Sequence, residues 1–96
     1  MDTLTTLLEQ AEAERNQALA AFNLQRARCD AVCARFNAAP FYQLLGMHAD
    51  SDAPGRARVR LPFADKLTQL YGGVHGGALL AIADAVINLA VATTFE

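Results

Sequence analysis

The segment from Gln69 to Asn88 carries the residue types that could do chemistry. A glycine-rich stretch, Gly72 to Gly77, leads into a run without Gly or Pro. The first amides of a helix starting there have no partner within the helix, and the helix dipole places partial positive charge at that point. A carbonyl oxygen or developing oxyanion is stabilised at such a position. Gly76 and Gly77 therefore form a candidate oxyanion hole, because neither carries a Cβ that blocks approach.

The second feature is a carboxylate within an aliphatic helix. Asp84 lies among Ala, Leu, Ile and Val, and Asn88 follows one turn later on the same face. Burying such an acid is costly without a partner or a purpose, and a half-buried carboxylate is a stronger base than one in water. Asp84 lies about 12 Å along the axis from Gly76, so the two cannot meet within one chain. A two-fold pairing of helices would bring them together; alternatively, Asp84 only binds a buried backbone group.

These residues resemble a known family. The pattern Gln69-x-x-Gly72-x-Val74-His75-Gly76-Gly77, with Asp84 and an Ala-rich helix after it, resembles the signature of hotdog-fold acyl-CoA thioesterases. It is most similar to the phenylacetate-degradation (PaaI-like) and 4-hydroxybenzoyl-CoA thioesterase branch. Residues 41–47 and 58–62 are also similar to that branch. The resemblance spans about residues 39–92 and implies a hotdog fold, an antiparallel sheet around a central helix.

The resemblance implies hydrolysis of an acyl-CoA, with an aromatic acyl group suggested by the branch. Gly76 would donate its amide to the thioester carbonyl, Asp84 would act as nucleophile or as general base for water, and Gln69 would orient the thioester or the water. The substrate-binding residues would be His75, Gly77 and Asn88. His75 is expected to stabilise the turn rather than to act as the base.

The same resemblance implies how the protein assembles and what it requires. It implies a homodimer or homotetramer with the active site across the interface. It implies neither a metal nor a cofactor, because a thioester is already activated. The alternative function is a non-catalytic assembly module, or an inactive fragment of a hotdog protein.

Two segments must position the site. Residues 1–38 are expected to form an amphipathic helix ended by Pro40, and residues 39–96 to form the N-terminal portion of a hotdog domain. An apolar stripe follows one face of the first helix. Its members are Leu4, Leu8, Ala11, Ala18, Phe22, Cys29, Val32 and Phe36. The stripe could pack on its own domain, on a partner subunit or in an independent coiled coil.

The second segment is expected to begin with β structure. Residues 41–70 are interpreted as β, with a strand at 44–52 and an alternating run at 56–63 forming a hairpin. Pro62 indicates that the second strand ends there or lies at an edge. Ala57, Val59, Leu61 and Phe63 would face one side. Arg56, Arg58 and Arg60 would face the other, either towards an anionic ligand or towards solvent. A helix is expected from Ala78 to about Thr94.

Further strands are needed to close a hotdog sheet, so the chain is expected to be a fragment of a longer domain; the alternative is that the long N-terminal helix or another chain covers the central helix. Without those strands or such a cover, the helix would expose apolar surface. The overall prediction is an α+β hotdog fold, truncated after its central helix.

Composition narrows the class of protein. Apolar residues make up 53% and charged residues 19%, a composition that excludes intrinsic disorder. The net charge is only −2, so charge gives no reason to expect nucleic acid or an anionic membrane as the main partner. The two cysteines, Cys29 and Cys33, have no framework of further cysteines around them, which indicates a reducing compartment. They also lack a nearby His or second Cys pair, so they would make a poor zinc site. The N-terminus lacks the features of a signal peptide, so a cytoplasmic location is expected. Residues 74–93 are long enough to span a bilayer, but Asp84 and Asn88 favour a buried helix of a soluble protein.

Overall fold

The computed structural model describes residues 2–95. In chain order these residues form α1 (Thr3–Ala38), α2 (Pro40–Leu45), β1 (His48–Ala53), β2 (Arg56–Arg60), a 3₁₀ helix (Asp65–Leu67) and α3 (Gly76–Phe95). The predicted α+β class is confirmed, with a long N-terminal helix, a two-stranded antiparallel sheet and a C-terminal helix.

Helix α1 begins and ends where the sequence predicts. The Asp2 carboxylate accepts a hydrogen bond from the Thr5 N–H at 2.6 Å, and this bond holds the pKa of Asp2 below its ordinary value. At the other end, Pro40 keeps Ala39 in the extended region, with φ −69° and ψ 131°. The buried side chains of α1 lie near its C-terminal end: Cys29, Val32, Cys33 and Phe36. Packing of the predicted stripe on its own domain is therefore confirmed only there.

The interpretation of residues 41–45 as β structure is wrong. Pro40 occupies the first turn of α2, where its fixed φ suits a helix and its missing N–H costs nothing. Gly46 ends α2 in the left-handed region at φ 85°, and its N–H bonds to the carbonyls of Tyr42 and Gln43. The predicted strand at 44–52 is consequently shortened at its start, and β1 begins at His48.

The predicted hairpin is confirmed. β1 and β2 pair antiparallel with Ala49 opposite Val59, and an irregularity lies between Asp50 and Ala53. Gly55 turns the chain with φ 79°. The alternation of half-buried and exposed residues holds through Arg60, where β2 ends. Phe63, which was expected on the inner face, is 66% exposed, because Pro62 cannot donate a ladder hydrogen bond and the strand stops before it.

The core lies where α1, α3 and the hairpin meet. It consists of Val32, Cys33, Phe36, Met47, Ala49, Ala85 and Leu89. The Phe36 ring stacks on Tyr42 with centroids 3.9 Å apart, which fastens α2 to the end of α1. The half-buried Asn37 joins α1 to β1: its Oδ1 accepts from the Ala49 N–H at 2.8 Å, and its Nδ2 donates to the Ala49 carbonyl at 3.0 Å.

We expect Asn37→Ala to lower the free energy of unfolding by about 1–3 kcal/mol, because it leaves two backbone groups of a part-buried strand without partners. Asn37→Asp keeps an acceptor for the Ala49 N–H but places a carboxylate oxygen against the Ala49 carbonyl, so its loss should be at least as large at neutral pH. Urea unfolding of the three proteins measures the difference. Equal stability of wild type and Asn37→Ala would show that this link contributes nothing.

Helix α3 packs on the hairpin through one narrow face. Ala85, Leu89 and Thr93 are buried, and the Thr93 Oγ1 accepts a hydrogen bond from the Gly55 N–H at 2.9 Å. Leu80 is 74% exposed and Ile87 63%, so the expectation of a buried helix is wrong for most of the surface of α3 in the described chain. By length and composition α3 could cross a membrane, a test that core helices of soluble proteins also pass.

Candidate active site

A tight loop between Thr68 and Val74 leads into α3. Thr68 and Val74 form an isolated antiparallel bridge, and the Gln69 N–H donates to the Gly73 carbonyl at 2.7 Å. Gly72 turns within this loop at φ 87°. At the base of the loop, the His75 N–H donates to the Leu67 carbonyl at 2.7 Å. These bonds fix the position of His75 relative to the 3₁₀ helix.

His75 caps α3. Its Nδ1 accepts a hydrogen bond from the Gly77 N–H at 2.7 Å, and its carbonyl accepts from the N–H groups of Ala78 and Leu79. An acceptor at Nδ1 places the proton of the neutral ring on Nε2. A Cβ at residue 77 would lie 2.9 Å from this Nδ1, so Gly77 is required by the close approach of the ring.

The Gly76 amide is open. Among residues 2–95 its N–H has no hydrogen-bond acceptor, and a Cβ added at Gly76 would meet no atom within 4 Å. It stands at the N-terminus of a 20-residue helix, where the helix dipole adds partial positive charge. This amide can donate to a carbonyl oxygen or an oxyanion supplied from outside the chain.

An apolar groove lies beside the start of α3. It measures about 230 Å³ and lies between α2, the 3₁₀ helix and the first turns of α3. Its lining residues are Phe41, Leu45, Lys66, Leu67, His75, Gly77, Ala78 and Ala81. The Lys66 ammonium donates to the Leu44 carbonyl at 2.7 Å, which holds the end of α2 at the groove.

Gln69 does not reach this groove. Its side-chain Oε1 accepts a hydrogen bond from the Tyr71 N–H, so the amide folds over its own loop. The side-chain nitrogen lies 3.2 Å from where a Cβ on Gly73 would be, which keeps Gly73 small. In this arrangement Gln69 shapes the loop before His75.

Asp84 and Asn88 form a separate pair on the exposed side of α3. The Asn88 Nδ2 donates to the Asp84 Oδ2 at 3.1 Å, and both side chains are exposed. The half-buried environment expected for Asp84 is therefore absent in the described chain. Asp84 instead occupies the middle of an exposed apolar row at steps of four, three and four, formed with Leu80, Ile87 and Val91. We call these four residues the α3 row.

Other candidate groups lie away from this site. Cys29 and Cys33 are free and buried, and burial raises the pKa of the Cys33 thiol, which disfavours a nucleophilic thiolate. On the arginine face, Arg56 lies 3.8 Å from Asp52 and Arg60 lies 3.9 Å from Asp50. Within residues 2–95 no group of three or more His, Cys, Asp or Glu side chains could hold a metal.

Comparisons of the chain with protein-family models, with curated proteins and with solved structures gave no match. His75 and Gly77 line this groove, Gly76 lies between them in the chain but is not part of the lining, and Gln69 and Asp84 lie outside the groove.

Sequence reasoning missed Phe41, Leu45 and Lys66 as groove residues. Phe41 and Leu45 are brought there by α2, which was interpreted as β structure. The signal that could have found it is a proline at the start of a six-residue, mostly apolar run with glycine directly after it. Lys66 carries no comparable signal, because a single lysine in a loop is an ordinary surface residue.

Proposed function

We propose that this chain is an acyl-CoA thioesterase of the hotdog type, which hydrolyses an acyl-CoA to a free acid and CoA at sites shared between two copies. In this proposal residues 39–96 form the N-terminal portion of the hotdog domain. One observation carries it: the Gly76 N–H is unpartnered among the described residues and stands at the start of α3, beside an apolar groove. The resemblance of residues 39–92 supplies the substrate class.

The Gly76 amide would hold the thioester carbonyl oxygen. As water adds to the carbonyl carbon, that oxygen becomes an oxyanion, and its hydrogen bond strengthens. One preorganised donor of this kind contributes about 3–4 kcal/mol of transition-state stabilisation. The groove walls made by Phe41, Leu45 and Ala81 suit an apolar acyl group.

Asp84 would come from the second copy. In one chain it lies about 12 Å along the helix from Gly76, too far to share a reacting group. Its place in the middle of the exposed α3 row supports pairing, because a second copy covering Leu80, Ile87 and Val91 would also enclose Asp84. Asn88 would orient the carboxylate through its 3.1 Å hydrogen bond.

The chemical steps balance without any added reactant. Acting as general base, the Asp84 carboxylate takes a proton from water while the water oxygen bonds to the thioester carbon. The oxyanion intermediate then collapses, the carbon–sulfur bond breaks, and the CoA thiolate leaves and takes the proton from the Asp84 carboxylic acid, which restores the carboxylate. If Asp84 acts as nucleophile instead, its oxygen bonds to the thioester carbon while the carbon–sulfur bond breaks and CoA thiolate leaves; water then hydrolyses the mixed anhydride to the free acid and the Asp84 carboxylate, and the proton released goes to the thiolate.

We expect the purified chain to release CoA thiol from acyl-CoAs, with aromatic acyl groups preferred. A panel of benzoyl-, phenylacetyl-, acetyl- and decanoyl-CoA, followed with a thiol reagent, measures the rates. We expect kcat/KM of about 10⁴ M⁻¹s⁻¹ or more for at least one member. A folded protein that hydrolyses none of the four would overturn the proposal.

The second candidate function is a non-catalytic assembly module. It is favoured by the large apolar side chains exposed on α1 and α3. An assembly module has no need of an open amide beside a groove, or of a carboxylate within the α3 row. A chain that associates but leaves every acyl-CoA intact would identify this alternative.

A further inference from the structure

The first two thirds of α1 form a helical segment that is exposed along its whole length in the described chain. Residues 2–28 are all exposed, and the molecule measures 78 × 20 × 17 Å because this segment projects from the rest. In proteins most of the stability of a helix comes from packing of its apolar face rather than from helix propensity. We therefore expect the projecting segment to pack on a partner.

The projecting segment carries an apolar face that continues the buried face of the same helix. Its members are Leu4, Leu7, Leu8, Ala11, Ala18, Leu19 and Phe22, which we call the free stripe. At 100° per residue these lie in line with Cys29, Val32, Cys33 and Phe36, which the domain covers. Leu8 is 57% exposed and Phe22 55% exposed. Such a stripe is typical of a helix that packs on another helix.

Charge along the segment indicates what the partner is. Residues 2–14 contain four acidic residues and no basic one, whereas residues 15–28 contain three arginines and no acidic one. Two copies aligned in parallel would place like charges together. Two copies aligned antiparallel would place the acidic half of each against the basic half of the other.

We propose that residues 3–28 of α1 pair antiparallel with the same residues of a second copy, through the free stripe. The segment is about 39 Å long, enough for a pairing of roughly seven turns. Arg15 lies on the stripe near the centre of the segment, within reach of the acidic residues of the other copy. This interface is separate from the α3 row and does not depend on the proposed catalysis.

The first test compares two matched leucines. Leu8 lies on the free stripe, and Leu24, with 56% exposure, lies about 160° away on the outer side of the helix. We expect Leu8→Gln to raise the dissociation constant of association about 10–100-fold, because two leucines are lost from each pair, and Leu24→Gln to leave it unchanged. Sedimentation equilibrium of the full chain measures both, with circular dichroism to verify helix content. Equal effects of the two substitutions, or a wild-type chain that is monomeric at about 100 μM, would overturn the proposal.

The second test measures the relative direction of the two α1 helices, and its result does not depend on any other interface. Spin labels are attached to Thr6→Cys or to Ala13→Cys, both on the outer side of α1, while the buried Cys29 and Cys33 stay unlabelled. In an antiparallel pair whose midpoint lies after residue 13, the two labels at residue 6 are farther apart than the two labels at residue 13, by about 15–20 Å. Parallel pairing makes the two distances equal, and association only through α3 leaves the projecting segments unpaired, so that the 13–13 distance is not short. Either of those results would contradict the antiparallel pairing.

Discussion

Replacing Asp84 by Asn lowers kcat for acyl-CoA hydrolysis by about 10²–10⁴-fold, if the proposed function is correct. The amide is nearly the same size as the carboxylate but can neither take a proton from water nor attack the thioester carbon. The Asp84 side chain is exposed and bonds only to Asn88 in the described chain, so the substitution should leave the fold intact. Steady-state rates with the best substrate of the panel measure the loss.

The matched control for Asp84 is Asp30→Asn. Asp30 is also an exposed helical aspartate, and it lies 3.9 Å from Arg26 one turn earlier on α1. Such a surface pair contributes at most a few tenths of a kcal/mol, so this variant should keep both its stability and its rate. An Asp84→Asn protein that turns over as fast as Asp30→Asn would remove Asp84 from the mechanism.

The parts of the fold that the sequence predicts well are those set by local backbone chemistry. Pro40 ends α1 because it excludes helical geometry at Ala39, and that rule needs no tertiary information. The hairpin follows from the alternation of residues 56–60 and from the Pro54-Gly55 turn before them. Each of these signals acts within a few residues.

The predictions that failed concern segments where two sequence signals compete or where the structure depends on contacts between distant residues. Residues 41–45 are short and apolar, so periodicity alone does not separate a strand from a helix, and the proline and glycine that flank them decide the outcome. The link from Asn37 to Ala49 joins residues twelve positions apart and leaves no pattern in the sequence. The exposure of Phe63 depends on where β2 stops pairing.

The candidate site shows the same difference between features set by local residues and features that depend on distant contacts. The hydrogen bond from Gly77 to His75 and the unpartnered amide of Gly76 are both properties of one turn. The glycine-rich start of a helix predicts the amide, and the family resemblance implies a turn-stabilising role for His75. Asp84 is different, because a helix fixes its distance from Gly76 but the meeting of the two groups requires another copy. Its exposed position on the α3 row agrees with that requirement.

Removing the Gly76 N–H should abolish most turnover, whereas adding a methyl group at the same residue should not. Gly76→Pro deletes this donor at the first position of α3, where proline is well tolerated in a helix. Gly76→Ala keeps the donor, and its Cβ meets no atom within 4 Å. We expect kcat to fall about 10²–10³-fold for the proline variant and only about tenfold or less for the alanine variant, which keeps the donor although its Cβ crowds the approaching thioester. Melting temperatures of the two variants verify that the fold survives in both.

Mixing the two defective proteins then tests whether one site contains groups from two copies. A dimer of Asp84→Asn with Gly76→Pro has one site with both groups intact, since one chain supplies Gly76 and the other supplies Asp84. Half of randomly formed dimers are mixed, and one of the two sites in each works, so the mixture should regain about a quarter of wild-type activity. If both groups acted within a single chain, the mixture would stay as inactive as its components. Equal rates of Gly76→Pro and Gly76→Ala would instead show that the Gly76 amide does not stabilise the oxyanion.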